Sequence, residues 1–395
     1  MTPRWHLVFF IAAVIYATAF AGLIAAHLWL WDAQGNIATY DFVAVHAAGK
    51  LALAGHAANA YDWSAHRVAE TVSLAHPVSW KDYLGWHYPP PFLFAASVLA
   101  LLPYLAAFLA WSAVTLPLYM LAMQRIVARS WLAAIAFPAT FYNVSVGQNG
   151  FLTAALAAGA LALLEEQPVL AGVLLGLLTY KPQFGILFPF ALAAGGYWRS
   201  FAAAAVTATA MALASWLVFG SEAWIAFVHS VPVTVDAVFM RGLEGWSKLN
   251  SIYGIWRWLG ADAAFAGAVQ IALTLALAAG IVALWRSNAP IPRKAAALLT
   301  ATLLATPYVY IYDFPILAAG IAFLYRERPF DRRETLLVAI ACACVTVFPF
   351  MHAATGFLAT LAIAAIVCIR TVRFTLPLRE GRQFAERSEA NFGEG

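Results

Sequence analysis

Residues 6 to 30 read HLVFFIAAVIYATAFAGLIAAHLWL, and residues 39 to 70, a few positions further on, read TYDFVAVHAAGKLALAGHAANAYDWSAHRVAE. The first stretch contains no Asp, Glu, Lys or Arg. As a helix it is long enough to cross a hydrocarbon core about 30 Å thick. It is too long for a removable signal peptide and has no small-residue cleavage site, so it is expected to remain as a first membrane helix. The second stretch is different in kind. It is mildly polar, with one helix-like run after Asp41 and another after Asp62. A folded platform of amphipathic helices is therefore expected directly after the first span.

Composition places the whole chain in the same class. Of 395 residues, 63% are hydrophobic and only 11% charged, with a mean hydropathy of +0.78. That is too little charge for the surface of a soluble protein and excludes an ordinary globular domain. Apolar segments recur at 91–123, 131–145, 150–164, 168–180, 183–195, 200–219, 262–285, 295–306, 314–325, 335–350 and 353–369. With the first helix they make an all-α polytopic membrane protein of about twelve transmembrane segments. Most of the 23 Lys and Arg cluster at alternate segment ends, at Arg4, Arg125, Arg129, Arg199, Arg286, Arg293, Lys294, Arg326 to Arg333 and from Arg370 onward. That side is read as cytoplasmic, which leaves loops 31–90 and 220–261 outside. The net charge of +4 is then a topology signal, and no nucleic-acid partner is expected. Cys342, Cys344 and Cys368 all fall in apolar runs and are expected to behave as small hydrophobes. The membrane-embedded domain spans 1–373, with 31–90 as its outer loop, and 374–395 reads as a disordered cytoplasmic tail.

Two pairs of segments are short. Runs 168–180 and 183–195 reach only about 20 Å each as helices, so their junction, TYKPQF, should lie below the outer surface. The same holds for 295–306 and 314–325, joined by ATPYVYIYDFP. Irregular backbone at that depth needs a protein-lined or water-filled cavity, and Lys181 and Asp313 would stand in its wall. The alternative is a single kinked helix per pair, bent at Pro182 or at Pro307 and Pro315, with about ten crossings in all. Asp41 and Asp62 could each be simple helix caps. For Asp62 that account suffices. Asp41 stands at the mouth of the first membrane helix, and a functional role is favoured for it.

The ordered set YDFVAVHAAGKLALAGHAANAYD, WHYPPPF, VGQNGFLTAAL, GVLLGLLTYKPQFGILFP, KLNSIYG and ATPYVYIYDFP resembles the bacterial glycosyltransferases of family 87, within the GT-C class of integral membrane transferases. The match runs from about residue 39 to 316. The resemblance implies a GT-C-like bundle in the cytoplasmic membrane that takes a sugar, mannose or a similar hexose or pentose, from a polyprenyl-phosphate donor. The acceptor would be a lipid or glycan, and membrane lipids would be the other partners. The essential Asp of the first outer loop would by position be Asp41, with the active site facing the periplasm or cell exterior.

The chemistry agrees with one carboxylate. A lipid phosphate leaves without protonation, so an inverting transferase needs a general base for the acceptor hydroxyl and no partnered acid, unlike glycoside hydrolysis. Lys181, Gln183, Gln148 and His87 are candidates to stabilise the developing phosphate charge. Asn149 beside Gln148, Tyr88 beside His87, and Asn250 in KLNSIYG are further substrate-binding candidates. Each has a plain structural reading as well: a polar turn, an interfacial aromatic anchor, or a helix cap. Many members of the family carry His near the end of the last motif, where this chain has Tyr312 followed by Asp313. Asp41 has no adjacent second carboxylate, so no metal is assigned, and no cofactor is expected. The rival class is a secondary transporter or lipid flippase, which also needs broken helices around a midplane cavity. Against it, the first outer loop has no counterpart elsewhere in the chain.

Overall fold

Several of the breaks between helices in this apolar chain fall at proline or glycine, although Pro117 and Pro232 lie inside helices. The computed structural model describes residues 3–372 apart from 39, 82, 244 and 352. The expected tail at 374–395 lies outside the described residues. Helix α1 is Pro3–Ala25, and the platform after it contains α2 (Phe42–Leu53) and α3 (Trp63–Leu74). The run expected at 91–123 is two helices, α4 (Leu93–Ala100) and α5 (Tyr104–Ile126). Pro103 stands between them because its ring cannot continue α4 but suits the residue that opens α5. The expected segment 131–145 is likewise divided, into α6 (Trp131–Ala136) and α7 (Pro138–Val146), with Pro138 opening the second.

Next come α8 (Gly150–Leu163), α9 (Pro168–Leu177), α10 (Pro182–Gly185) and α11 (Phe188–Ala194). Helix α12 (Trp198–Thr234) is interrupted at Gly220, whose φ of 79° lies in the left-handed region. The expected outer loop 220–261 therefore starts with more helix and also contains α13 (Ile252–Trp258). The chain ends with α14 (Ala263–Arg286), α15 (Ile291–Ala305), α16 (Pro315–Glu327), α17 (Arg332–Val347) and α18 (Thr355–Val372). Among the described residues there is no strand, only isolated bridges at Trp29, Trp31 and Ile37.

Six described helices are long and apolar enough to cross a membrane: Trp5–Ala25, Tyr104–Ile126, Trp198–Met240, Ala263–Arg286, Arg332–Phe350 and Thr355–Val372. Others are short; α8, α9, α15 and α16 have 14, 10, 15 and 13 residues. Burial sorts most of the two sets. Helices α8, α15 and α16 are buried along nearly their whole length, whereas α1 and α12 expose Leu7, Phe10, Ile15, Leu213 and Leu217. Large apolar side chains exposed in rows suit a lipid environment, and short interior helices leave room for irregular backbone inside the bundle. At one end of the bundle, Glu334 at the start of α17 takes hydrogen bonds from Arg370 of α18 at 2.9 and 3.0 Å and from Arg328 at 2.6 and 3.1 Å. Arg293 of α15 pairs with Glu327 of α16 beside it. These charges neutralise one another where four helices meet.

The platform is held by histidines. The His66 Nε2–H donates to the Ala44 carbonyl at 3.0 Å, tying α3 to α2. His46 donates from Nε2 to Leu102 O at 3.0 Å and accepts at Nδ1 from Ser73 Oγ at 2.9 Å, tying α2 to both the α4–α5 turn and α3. Burial pushes the His66 imidazole down to about 4, so it works as a neutral donor. Asp62 caps α3, accepting from Ala65 N at 2.8 Å. Glu70 is fully buried on the same helix, and burial raises its carboxyl to about 8. A folded-state pKa above the unfolded one stabilises the protein at low pH, and that contribution is lost as pH rises from about 4.5 through about 8. We therefore expect Glu70→Gln to match the wild type in Tm at pH 5 and to exceed it by pH 8.5. His66 Nδ1 lies 3.8 Å from Glu70 Oε1, so the comparison starts at pH 5, above the His66 pKa of about 4, where the folded imidazole is neutral in both proteins. A Tm difference that stays constant from pH 5 to 8.5 would contradict a protonated Glu70.

Candidate active site

The chain leaving α1 doubles back before α2. Asp32 closes the turn by accepting from Gln34 N and Asn36 N at 2.9 and 2.8 Å, and Leu30 N donates to Tyr40 Oη at 3.1 Å. This delivers Asp41 to the start of α2. Asp41 occupies the N-cap position, but its side chain makes no capping hydrogen bond. One carboxylate oxygen, Oδ2, instead accepts from Gln148 Nε2 at 3.0 Å.

Gln148 lies in the turn between α7 and α8, and two glycines dictate the shape of that turn. Gly147 ends α7 with φ +68°, a left-handed conformation that side chains disfavour. Gly150 opens α8 where an added Cβ would stand 1.8 Å from the Tyr312 carbonyl oxygen. No other residue permits that approach. The same oxygen accepts from Asn143 Nδ2 at 2.9 Å. Two indoles hold the turn from outside, Trp29 Nε1 to Ser145 O at 3.0 Å and Trp111 Nε1 to Gln148 O at 3.3 Å.

Lys181 sits in the break between Tyr180 and α10, where Pro182 begins a new helix. It is 3% exposed, and its Nζ lies 2.5 Å from Asp313 Oδ1. Asp313 Oδ2 in turn accepts from Tyr310 N at 3.1 Å, which closes the turn after the extended segment. The ammonium also stands 5.3 Å from the Tyr312 ring centroid and 5.2 Å from that of Phe184. The two short-segment junctions thus meet through a buried ion pair.

A cavity of about 270 Å3 brings these pieces together. Its wall includes Asp41, His87, Tyr88, Gln148, Lys181, Gln183 and Tyr312. Three candidates from the sequence stand outside the wall. Asp313 lies behind Lys181. Asn149 is buried beside Gln148 with its backbone oxygen accepting from Thr153 Oγ1 at 3.0 Å. Asn250 Oδ1 accepts from Gly356 N at 2.8 Å, joining the loop before α13 to α18, while Ser251 is the residue that caps α13. His87 hydrogen-bonds Thr234 Oγ1 at 3.0 Å, and burial lowers its imidazole to about 4, so at neutral pH it offers a hydrogen bond without charge. Lys248, Tyr180, Tyr308 and Tyr310 also line the cavity and were not singled out from the sequence. The signal for the tyrosines was present: Tyr308, Tyr310 and Tyr312 alternate, and alternation in an extended segment puts side chains on one side. Among the described residues no three His, Cys, Asp or Glu come together as a metal-binding group.

A second cavity, about 330 Å3, runs between α9, α10, α11 and α12. Leu175, Leu178, Ile186, Phe188, Leu192 and Phe201 line it, and no charged residue does. Pro182 belongs to the walls of both cavities.

A polytopic helical protein with a polar cavity and an adjoining apolar groove is suited to joining a polar reaction to a lipid-borne molecule. The glycosyltransferase family 87 model matches residues 86–307, more than half of the chain, and the protein belongs to that family. It is therefore a membrane glycosyltransferase. No curated protein and no solved structure gives a significant match. Asp41 and the tyrosines Tyr308, Tyr310 and Tyr312 lie outside the matched residues and reach the cavity through the tertiary structure.

The ion pair changes what removing Lys181 should do. From sequence alone, Lys181→Ala acts on donor use and little on folding. With Asp313 buried against it, the same change leaves an uncompensated carboxylate and should cost about 3–5 kcal/mol of stability. The double variant Lys181→Met with Asp313→Asn should recover most of that loss in thermal melts. Equal Tm values for the wild type and Lys181→Ala would show that the pair carries no stability.

Proposed function

We propose that the protein transfers a sugar, mannose or a similar hexose or pentose, from a polyprenyl-phosphate donor to a lipid or glycan acceptor at the outer face of the cytoplasmic membrane. The transfer inverts the anomeric centre. The observation that carries this reading is that Asp41 is the only carboxylate among the described residues of the cavity wall. A single base is what inversion with a phosphate leaving group requires.

Asp41 takes the proton of the acceptor hydroxyl as its oxygen attacks the anomeric carbon from the face opposite the phosphate. The bond from that carbon to the phosphate oxygen breaks, and the lipid phosphate leaves with the electron pair. The developing charge is met by Lys181, Gln183 and Lys248, with neutral donors at His87 and Tyr312. Lys181 comes with Asp313 and is neutral as a pair, so Lys248 is the wall's other ammonium. The uncharged groove beyond Pro182 offers the donor's hydrocarbon tail a path from the bilayer to the cavity. About twelve segments, counting the short interior helices, would put the platform and this cavity on the side opposite the clustered Lys and Arg.

Asp41→Asn keeps the size and the capping capacity of the residue and removes the proton acceptor. We expect normal yield and Tm with sugar transfer lowered by roughly 10²–10⁴-fold, measured with a radiolabelled polyprenyl-phosphate donor in membranes. Asp41→Ala should be equally inactive, with any loss of stability about 1 kcal/mol or less, from the lost Gln148 bond and not from a helix cap. An Asp41→Asn protein with full transfer activity, or movement of donor across proteoliposomes with no transfer, would overturn the proposal.

A further inference from the structure

The VGQNGF turn has more structure than a link between two spans needs. Gln148 Oε1 accepts from Tyr88 Oη at 3.1 Å and from its neighbour's backbone, Asn149 N, at 3.4 Å. A backbone N–H can only donate, so the atom facing it must be the amide oxygen. The NH2 group is thereby turned the other way, toward Asp41 Oδ2 at 3.0 Å. A carboxylate accepts only, so the three contacts are mutually consistent and admit one orientation of the amide. Gly147 and Gly150 fix the backbone that carries it, and the Trp111 indole holds the Gln148 carbonyl.

We propose that Gln148 is the positioning residue of Asp41: its amide, oriented by Tyr88 and the Asn149 N–H, holds one carboxylate oxygen so that the carboxylate presents a fixed face to the acceptor hydroxyl. The sequence suggests Gln148 as a donor to the phosphate, whereas in the structure one of its two amide N–H donors is engaged with Asp41. The inference rests on Asp41 being the base. A donated hydrogen bond favours the ionised carboxylate, so Gln148 also keeps Asp41 competent as a base toward lower pH. Tyr104, Lys181 and Tyr312 interact electrostatically with Asp41, and His87, Tyr88, Lys248, Tyr308 and Tyr310 face the same cavity. All of these except the substituted residue remain in each variant below.

The test uses the full-length protein in lipid nanodiscs. Two measurements are made against pH: kcat/KM for sugar transfer, and modification of the half-buried Asp41 by a water-soluble carbodiimide, read by mass spectrometry. Carbodiimide needs the protonated carboxyl, so its profile reports the ionisation of Asp41 without any turnover. Gln148→Met keeps the length and removes the donor. We expect both profiles to move up by about one pH unit, with KM for the donor unchanged and activity recovering at high pH. Tyr88→Phe should move them in the same direction by less, because the Asn149 N–H still orients the amide. Gln148→Glu places a second carboxylate against Asp41 and should move them furthest. If Asp41→Asn is inactive while both Gln148→Met profiles coincide with the wild type, the positioning role is wrong and the base assignment stands. A raised donor KM with unshifted profiles would instead place the Gln148 amide on the donor. If Asp41→Asn is active, both proposals fall.

Discussion

The Tyr312 carbonyl stands where a side chain on Gly150 would have to be, and the site depends on that approach. It seats the turn carrying Gln148 directly against the segment carrying Tyr308, Tyr310, Tyr312 and Asp313. Asn143 satisfies the carbonyl, so the contact leaves no buried acceptor unpaired. From this one junction Gln148 reaches forward to Asp41 and Asp313 reaches across to Lys181. A larger residue at 150 would push the two segments apart, and with them the base and the cation.

The interior ion pair fits the same logic. A buried Lys–Asp pair stabilises little, since its attraction barely offsets the cost of removing both charges from water. What it adds is specificity of arrangement. Two breaks in helix, each with irregular backbone inside the bundle, are joined by the Lys181–Asp313 pair and by the Lys181 ammonium over the Tyr312 ring. It also limits the charge available to a substrate. A phosphate in the cavity would meet a neutral pair at Lys181, an ammonium at Lys248 and a set of tyrosine hydroxyls. One of those hydroxyls, on Tyr312, belongs to the ring that the Lys181 ammonium approaches at 5.3 Å.

Apolar surface and cavity divide the chain between them. The long helices turn Leu, Phe and Ile outward, while α8, α15 and α16 are short and buried. Short interior helices are the condition for a polar cavity in such a bundle, because their ends bring unsatisfied backbone and charged side chains to a depth that a full span would pass through as closed helix. The groove next to it, uncharged throughout, sits where the broken pair α9 to α11 lies against α12.

Composition alone determined the class, since a chain with 11% charged residues cannot cover itself for water. Segment length alone pointed to a cavity at the two junctions, and Lys181, Asp313 and Asp41 read as polar groups out of keeping with their surroundings, whereas Tyr312 entered only through the family resemblance. Helix boundaries were less so. In a chain where almost every window is apolar, hydropathy cannot show where one helix ends, and 91–123 read as one run until Pro103 divided it. Asn250 looked like a site residue and is a tie between the loop before α13 and α18, while Lys248, two residues away, lines the cavity. The tertiary structure decided the pairings: Asp41 with Gln148 across 107 positions, and Lys181 with Asp313 across 132. No local pattern encodes such contacts. They follow from how closely α7, α8 and the 308–313 segment can pack, and that is set by the missing side chain of one glycine.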